Sequence, residues 1–303
     1  MECHAKPIEP SVDPHDRSQP DAATPFATRW HDAAQLPTGF WPLTRRFLRD
    51  TLLSIEAATR RGMEDRFLRG LYCHYVFPDQ AREFRRILDA LGRIGRFVST
   101  RECLDMLEGR RAIDGRLFHL SFDDGFRNHR TVAAPALAER GIRAAFFVPT
   151  AMVGATPDEV ARYCRRIEYP AAIEMMGWDD VAALHAAGHE IGSHTRTHAR
   201  FADLSAEPAR LHDEIAGSRV DLTRRLGVEC ETISWPFGRR ADADAASLAA
   251  ARAAGYRACF GAFRGTMRPG KTDLFAIPRH HFEAEWPVSH VAYFARGNRE
   301  EAP

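Results

Sequence analysis

Leu117-Phe118-His119-Leu120-Ser121-Phe122-Asp123-Asp124-Gly125-Phe126 is an apolar run that delivers two adjacent carboxylates into a glycine turn. A strand buried on both faces reads as a near-continuous hydrophobic run, and in α/β folds ligands gather beyond the carboxyl ends of such strands. The run therefore predicts a parallel strand with Asp123 and Asp124 at its functional end. Taken alone, Asp-Asp-Gly is also ordinary turn punctuation.

A second stretch, Gly188 to His198, reads Gly-His-Glu-Ile-Gly-Ser-His-Thr-Arg-Thr-His and again follows a short strand-like segment. His194 and His198 are four residues apart, and on a helical turn they share one face. Two neutral imidazoles joined by one carboxylate make a three-ligand site with a position left for water, the arrangement of catalytic zinc. A lone pair of histidines at this spacing is also a common surface coincidence. The two stretches together, each at the end of a predicted strand, point to chemistry.

Ser-Phe-Asp-Asp-Gly at 121–125 and Ser-His-Thr-Arg-Thr-His at 193–198 resemble the first two motifs of the polysaccharide deacetylase family, the NodB-homology or carbohydrate esterase family 4 hydrolases. The similar order of elements runs from Leu71 to about Ala292. The resemblance implies an α/β fold, a distorted (β/α)7-type barrel, that binds one divalent ion, zinc by the chemistry of its ligands, and removes acyl groups from N-acylated sugars. It implies Asp124, His194 and His198 as metal ligands and Asp123 as general base. Ile-Ser-Trp-Pro-Phe-Gly at 233–238 resembles the third motif, with Pro236 and Gly238 turning the chain beneath the site and the backbone N–H of Phe237 as oxyanion donor. The arginine usual in that motif is Ser234 here. Ala-Ile-Pro-Arg-His-His-Phe-Glu at 276–283 resembles the arginine-bearing strand of a subgroup that lacks it, which nominates Arg279 to pair with Asp123. The family's final Leu-x-His is missing in its usual form. His281, on the same strand face as Arg279, is the candidate general acid, ahead of His280, His290 and His74. His74 corresponds to a histidine often found in the first strand of the family and is expected to face the site.

Composition bounds the remaining readings. A chain of 303 residues with 45% apolar content builds a sizeable core without staples. A net charge of +1, from 42 basic and 41 acidic residues, leaves no broad footprint for nucleic acid. The six cysteines are scattered without a Cys-x-x-Cys pair, so they are expected as thiols in a reducing compartment, and with no signal-like segment the expected location is the cytoplasm. Residues 1–38 are expected as a mobile tail. Residues 39–70 are expected as an amphipathic helical segment packing on the barrel, the alternative being peripheral membrane contact through 39–62, and 71–303 as the deacetylase domain. Competing functions are a deformylase or non-sugar amide hydrolase on the same fold, or a catalytically weak carbohydrate-binding protein. The oligomeric state is open.

Overall fold

The computed structural model describes residues 26–33, 51, 53, 55–56, 64–298 and 300. Eight parallel strands form one sheet: β1 (Phe67–Cys73), β2 (Arg96–Val98), β3 (Arg116–Phe122), β4 (Ala145–Val148), β5 (Glu190–Ser193), β6 (Thr232–Ser234), β7 (Ala258–Phe260) and β8 (Arg279–His281). Their path runs β7-β6-β5-β4-β3-β1-β8. The short β2 shares one edge of β3 with β4: Arg96 to Val98 lie opposite Leu117 to His119, whereas Ser121 and Phe122 lie opposite Ala145 and Phe146. The sheet closes on itself at the other end. Ile277, just ahead of β8, exchanges backbone hydrogen bonds with β7 through Cys259 and Gly261. The result is the distorted (β/α)7-type barrel expected from the sequence, with helices such as Ala81–Ile94, Trp178–Ala186 and Ala245–Ala253 packed outside.

The period of two along each strand sorts side chains into two layers. On β3, Phe118, Leu120 and Phe122 join the large outer core beneath the helices, and Leu117 belongs to the inner cluster with Phe147, Phe260 and Ile277. The inward column on β3 is therefore Leu117, His119, Ser121, Asp123, changing from apolar to ionised as it climbs toward the carboxyl end. On β8 the same alternation turns Arg279 inward. Room for it comes from Gly70 on β1, where an added Cβ would lie 2.8 Å from Arg279 Cγ and 2.7 Å from the Pro278 carbonyl oxygen.

Several expectations are corrected. The first strand starts at Phe67, not Leu71; the interruption Arg69-Gly70 hid its start, yet all seven residues are buried and the Arg69 guanidinium pairs with Glu300 and Glu64. The helical stretch Pro208–Leu226 is broken by a π turn over Asp213–Gly217, and Ser205 ahead of it donates to Asp244. Within the expected tail, residues 26–33 are ordered against the barrel: Ala27 N donates to Ala172 O, and Trp30 N to Asp79. The rest of the tail, and most of the amphipathic segment with its membrane-contact alternative, lie outside the described residues; Leu53 is buried against Tyr293 and Phe294. Among the described residues no helix is long and apolar enough to cross a membrane.

Candidate active site

The carboxyl ends of β1, β3, β5, β6 and β7 converge on one cleft, as they do at the functional face of barrel enzymes. Its walls include Tyr72, His74, Asp123, Asp124, Tyr169 and Phe237, and its volume is about 90 Å³.

Asp123 leaves β3 pointing inward and meets Arg279 in a two-pronged contact, 2.8 Å for each oxygen. The guanidinium is fully buried and has partners for its other donors: Gly261 O at 2.7 Å, Ser121 Oγ at 3.0 Å and Ser234 Oγ at 2.7 Å. It also lies over the Tyr72 ring, 4.6 Å from the centroid. Ser234, at the position of the motif arginine, thus accepts from the arginine that reaches across from β8. Burial works to raise the Asp123 pKa, but the charge of Arg279, followed by that of His194, outweighs it and leaves the group below its ordinary value. A planar fork facing a carboxylate fixes orientation as well as charge.

One residue on, Asp124 turns the other way, helped by a left-handed φ of 73°. Its Oδ1 lies 3.4 Å from His194 Nε2 and 3.2 Å from His198 Nε2. Its Oδ2 accepts from the Tyr169 hydroxyl at 2.8 Å. Oδ1 is buried without a hydrogen-bond donor, an arrangement that costs free energy unless a cation supplies the partner. The Nδ1–H of His194 donates to the Ser234 carbonyl at 2.8 Å, which leaves Nε2 with its lone pair toward Asp124. One carboxylate and two imidazoles, within 4.8 Å of one another, fit a divalent ion.

The expected helical turn over 194–198 is not formed. His194 to His198 is a loop in which Thr195 and His198 take positive φ, 64° and 62°. Backbone hydrogen bonding outside the loop holds it there: Glu214 accepts from Arg196 N at 3.0 Å and Thr197 N at 2.8 Å, and Thr195 Oγ1 accepts from His198 N. Thr150 N and Ala151 N donate to the carbonyls of Thr195 and Arg196. The π turn at 213–217 aims Glu214 at this loop.

Pro236 and Gly238 make the expected turn. An added Cβ on Gly238 would lie 2.1 Å from Ala262 Cβ, and its φ of 74° suits glycine. Phe237 between them is left-handed and 38% exposed, and its ring lies 5.0 Å from that of His198.

The histidines separate clearly. His74 lines the cleft, whereas His281 stands behind it, with Nε2 at 3.2 Å from His74 Nδ1 and 2.6 Å from Glu283 Oε1. His74 Nδ1 is also 3.1 Å from Glu283 Oε1. His280 points into the wall and is buried, and His290 is buried on the helix Val288–Ala295. Burial lowers the His74 pKa, but the Glu283 hydrogen bond and the nearby aspartates more than reverse this and push it up to about 9. Glu283 is driven against burial down to about 2 by His281 and His74. The sequence offered no signal that Tyr169 would reach Asp124 or that Glu283 would reach His74, since those partners are distant in the chain.

Residues 111–259 match the family model described as polysaccharide deacetylase. IcaB from Ammonifex degensii superposes with a TM-score of 0.65 at 25% identity, over 77% of this chain and 98% of that one. The fold is shared with the de-N-acetylase from Aggregatibacter actinomycetemcomitans (TM-score 0.60, 18% identity, 75% of this chain and 99% of that one). It is shared too with the BpsB deacetylase domain from Bordetella bronchiseptica (0.58, 18%, 74% and 98%). Among curated proteins, gellan lyase from Bacillus sp. is 32% identical over 121 residues, 40% of this chain, and the match spans only 4% of that protein's length. The matched segment, 149 of the 303 residues, holds the Asp-Asp-Gly turn, the two-histidine loop and the Trp-Pro-Phe-Gly turn that meet at the cleft, and this segment belongs to the polysaccharide deacetylase family.

Proposed function

We propose that the protein is a metal-dependent hydrolase that removes the acetyl group from an N-acetylated amino sugar of an oligo- or polysaccharide. The observation that carries this reading is Asp123: a buried carboxylate, spare as a ligand, clamped by Arg279 at a cleft beside three donors for a cation. Asp124, His194 and His198 would hold the ion, and their mixed nitrogen and oxygen donors suit zinc. When bound, such an ion polarises the acyl oxygen and acidifies water.

The remaining work falls to the chain. Asp123, kept ionised and fixed by Arg279, takes the proton from the water that adds to the acyl carbon. The Phe237 N–H is the proposed donor to the acyl oxygen, in a turn whose backbone is already bent to present it. An amine cannot depart as an anion, so a proton must reach the nitrogen as the C–N bond breaks. We reassign this step from His281 to His74, which lines the cleft. With Nδ1 engaged by Glu283, Nε2 is the ring nitrogen left to serve the amine, and Glu283 and His281 act as positioning residues. The sugar stays outside, against Phe237 and Tyr169. Among the described residues, five buried free cysteines support a cytoplasmic setting.

The test is acetate release from N-acetylated glucosamine oligomers by chelated and zinc-reloaded protein, with N-formyl analogues assayed in parallel. Acetate release that needs the ion and is lost in Asp123→Asn is the expected result. Absence of acetate from every N-acetylated oligomer by metal-loaded protein would reject the reading, and formate release alone would make the enzyme a deformylase.

A further inference from the structure

Beside the Asp124 trio lies a second group of donors. His74 Nδ1, His281 Nε2 and Glu283 Oε1 face a common point, with separations of 3.1, 3.2 and 2.6 Å. Donors about 2.0–2.2 Å from a tetrahedral ion sit roughly 3.3–3.6 Å apart. Two of the three separations fall short of that by only about 0.1–0.5 Å, and the third must open by about 0.7–1.0 Å. The groups are also reachable: the His74 and His281 side chains are 26% and 28% exposed, and Glu283 is 11% exposed. Packing holds their orientation, with His281 between the Tyr72 and Trp286 rings at 5.0 and 5.4 Å. At present the three heavy atoms share protons. A divalent cation can take the place of those protons, releasing them to solvent.

We propose that His74, His281 and Glu283 form a second divalent-cation site, and that its occupancy prevents His74 from donating a proton, so that zinc beyond the first equivalent arrests the enzyme. The proposal rests on the reading of His74 given above. An imidazole bound through Nδ1 is neutral and keeps its Nε2 proton far more firmly than an imidazolium does. It can still form a hydrogen bond but cannot protonate a leaving amine. Because the ligands must shed protons to bind, the second ion binds more tightly as pH rises. The two sites differ in character. Asp124, His194 and His198 are all deeply buried, whereas the second group is partly open and must give up existing hydrogen bonds, so it fills second and more weakly.

Equilibrium dialysis of the full-length chelated protein against zinc, read by elemental analysis, tests this without reference to turnover. Wild type is expected to bind one ion more than either His281→Ala or Glu283→Gln, and one more than His198→Ala, which loses the first site instead. Activity on N-acetylated oligomers should rise with the first equivalent and fall at least tenfold as the second site fills. Equal stoichiometry in wild type, His281→Ala and Glu283→Gln overturns the proposal even if acetate is released. Loss of one ion in both variants with no acetate release at any zinc level keeps the site and rejects the deacetylase reading. Full activity at saturating second-site occupancy rejects the inhibitory role. Circular dichroism of both variants ensures that a missing ion reflects a missing ligand.

Discussion

The adjacent aspartates differ in every respect except residue type. Asp123 is the guanidinium's partner, and Asp124, one left-handed step later, is the imidazoles' partner. Asp123→Asn should therefore keep its metal and lose about 10²- to 10⁴-fold in turnover, because an amide cannot take the proton. Asp124→Asn should lose metal first, which dialysis against zinc reports directly. Arg279→Lys preserves the charge but not the fork, and at least about tenfold of kcat should go with it while metal content stays level. His74, pushed up to about 9, carries its proton at neutral pH. Activity that needs that proton should fall as pH rises through about 9, and His74→Gln should both depress the rate and remove that alkaline limb. That Asp124, His194 and His198 would come together, and that Arg279 would meet Asp123, was legible through the motifs that resemble the family's. The choice among histidines was not legible, since it depends on how far each strand end projects beyond its neighbour.

At the scale of elements, the two-histidine segment shows where spacing misleads. A separation of four fits one face of a helix, yet the same two rings converge from a loop whose N–H groups find acceptors in Glu214 instead of in the preceding turn. Left-handed conformations at Thr195, His198, Asp124 and Phe237 cost on the order of 1 kcal/mol or more each, and persist only because surrounding bonds over-determine them. Glu214→Ala removes the acceptor of two loop amides. It should weaken zinc binding about 10- to 100-fold while leaving the far-ultraviolet spectrum unchanged, a contrast that dialysis and circular dichroism resolve. Nothing in the periodicity of 205–226 marks the π turn that aims Glu214, because amphipathic spacing averages over a one-residue insertion. The start of β1 was hidden for a related reason: Arg69 looked like a surface residue until its acidic partners from distant segments were in place.

For the molecule as a whole, burial of titratable groups sets the acid limit. Burial holds His119 down to about 3, and His129 and His280 to about 4. Each stays neutral in the fold and charges near its ordinary value when unfolded, so the unfolded chain binds more protons and stability falls as pH drops below about 6.5. Glu190, pushed up to about 7 by burial and by Glu231, acts in the opposite sense over much of that range and cancels roughly one histidine. The remainder should lower the Tm by on the order of 10 °C between pH 7 and pH 5, and a His129→Gln variant should flatten the slope in calorimetry. The barrel class was readable through the resemblance of the motifs at 121–125 and 193–198, but its closure through Ile277 was not, since that contact joins segments with no local signature. Closure also places the catalytic parts at opposite ends of the polypeptide: His74 follows the first strand, and Arg279 and Glu283 belong to the last. Arg279 is made 156 residues after Asp123, which at ordinary rates of translation is roughly 8–30 s later. A growing chain on the ribosome therefore carries Asp124, His194 and His198 well before it carries the partner that restrains Asp123. On the proposed reading, capture of an ion and the onset of hydrolysis become separate events in the birth of the enzyme, and the second waits for the last strand to emerge.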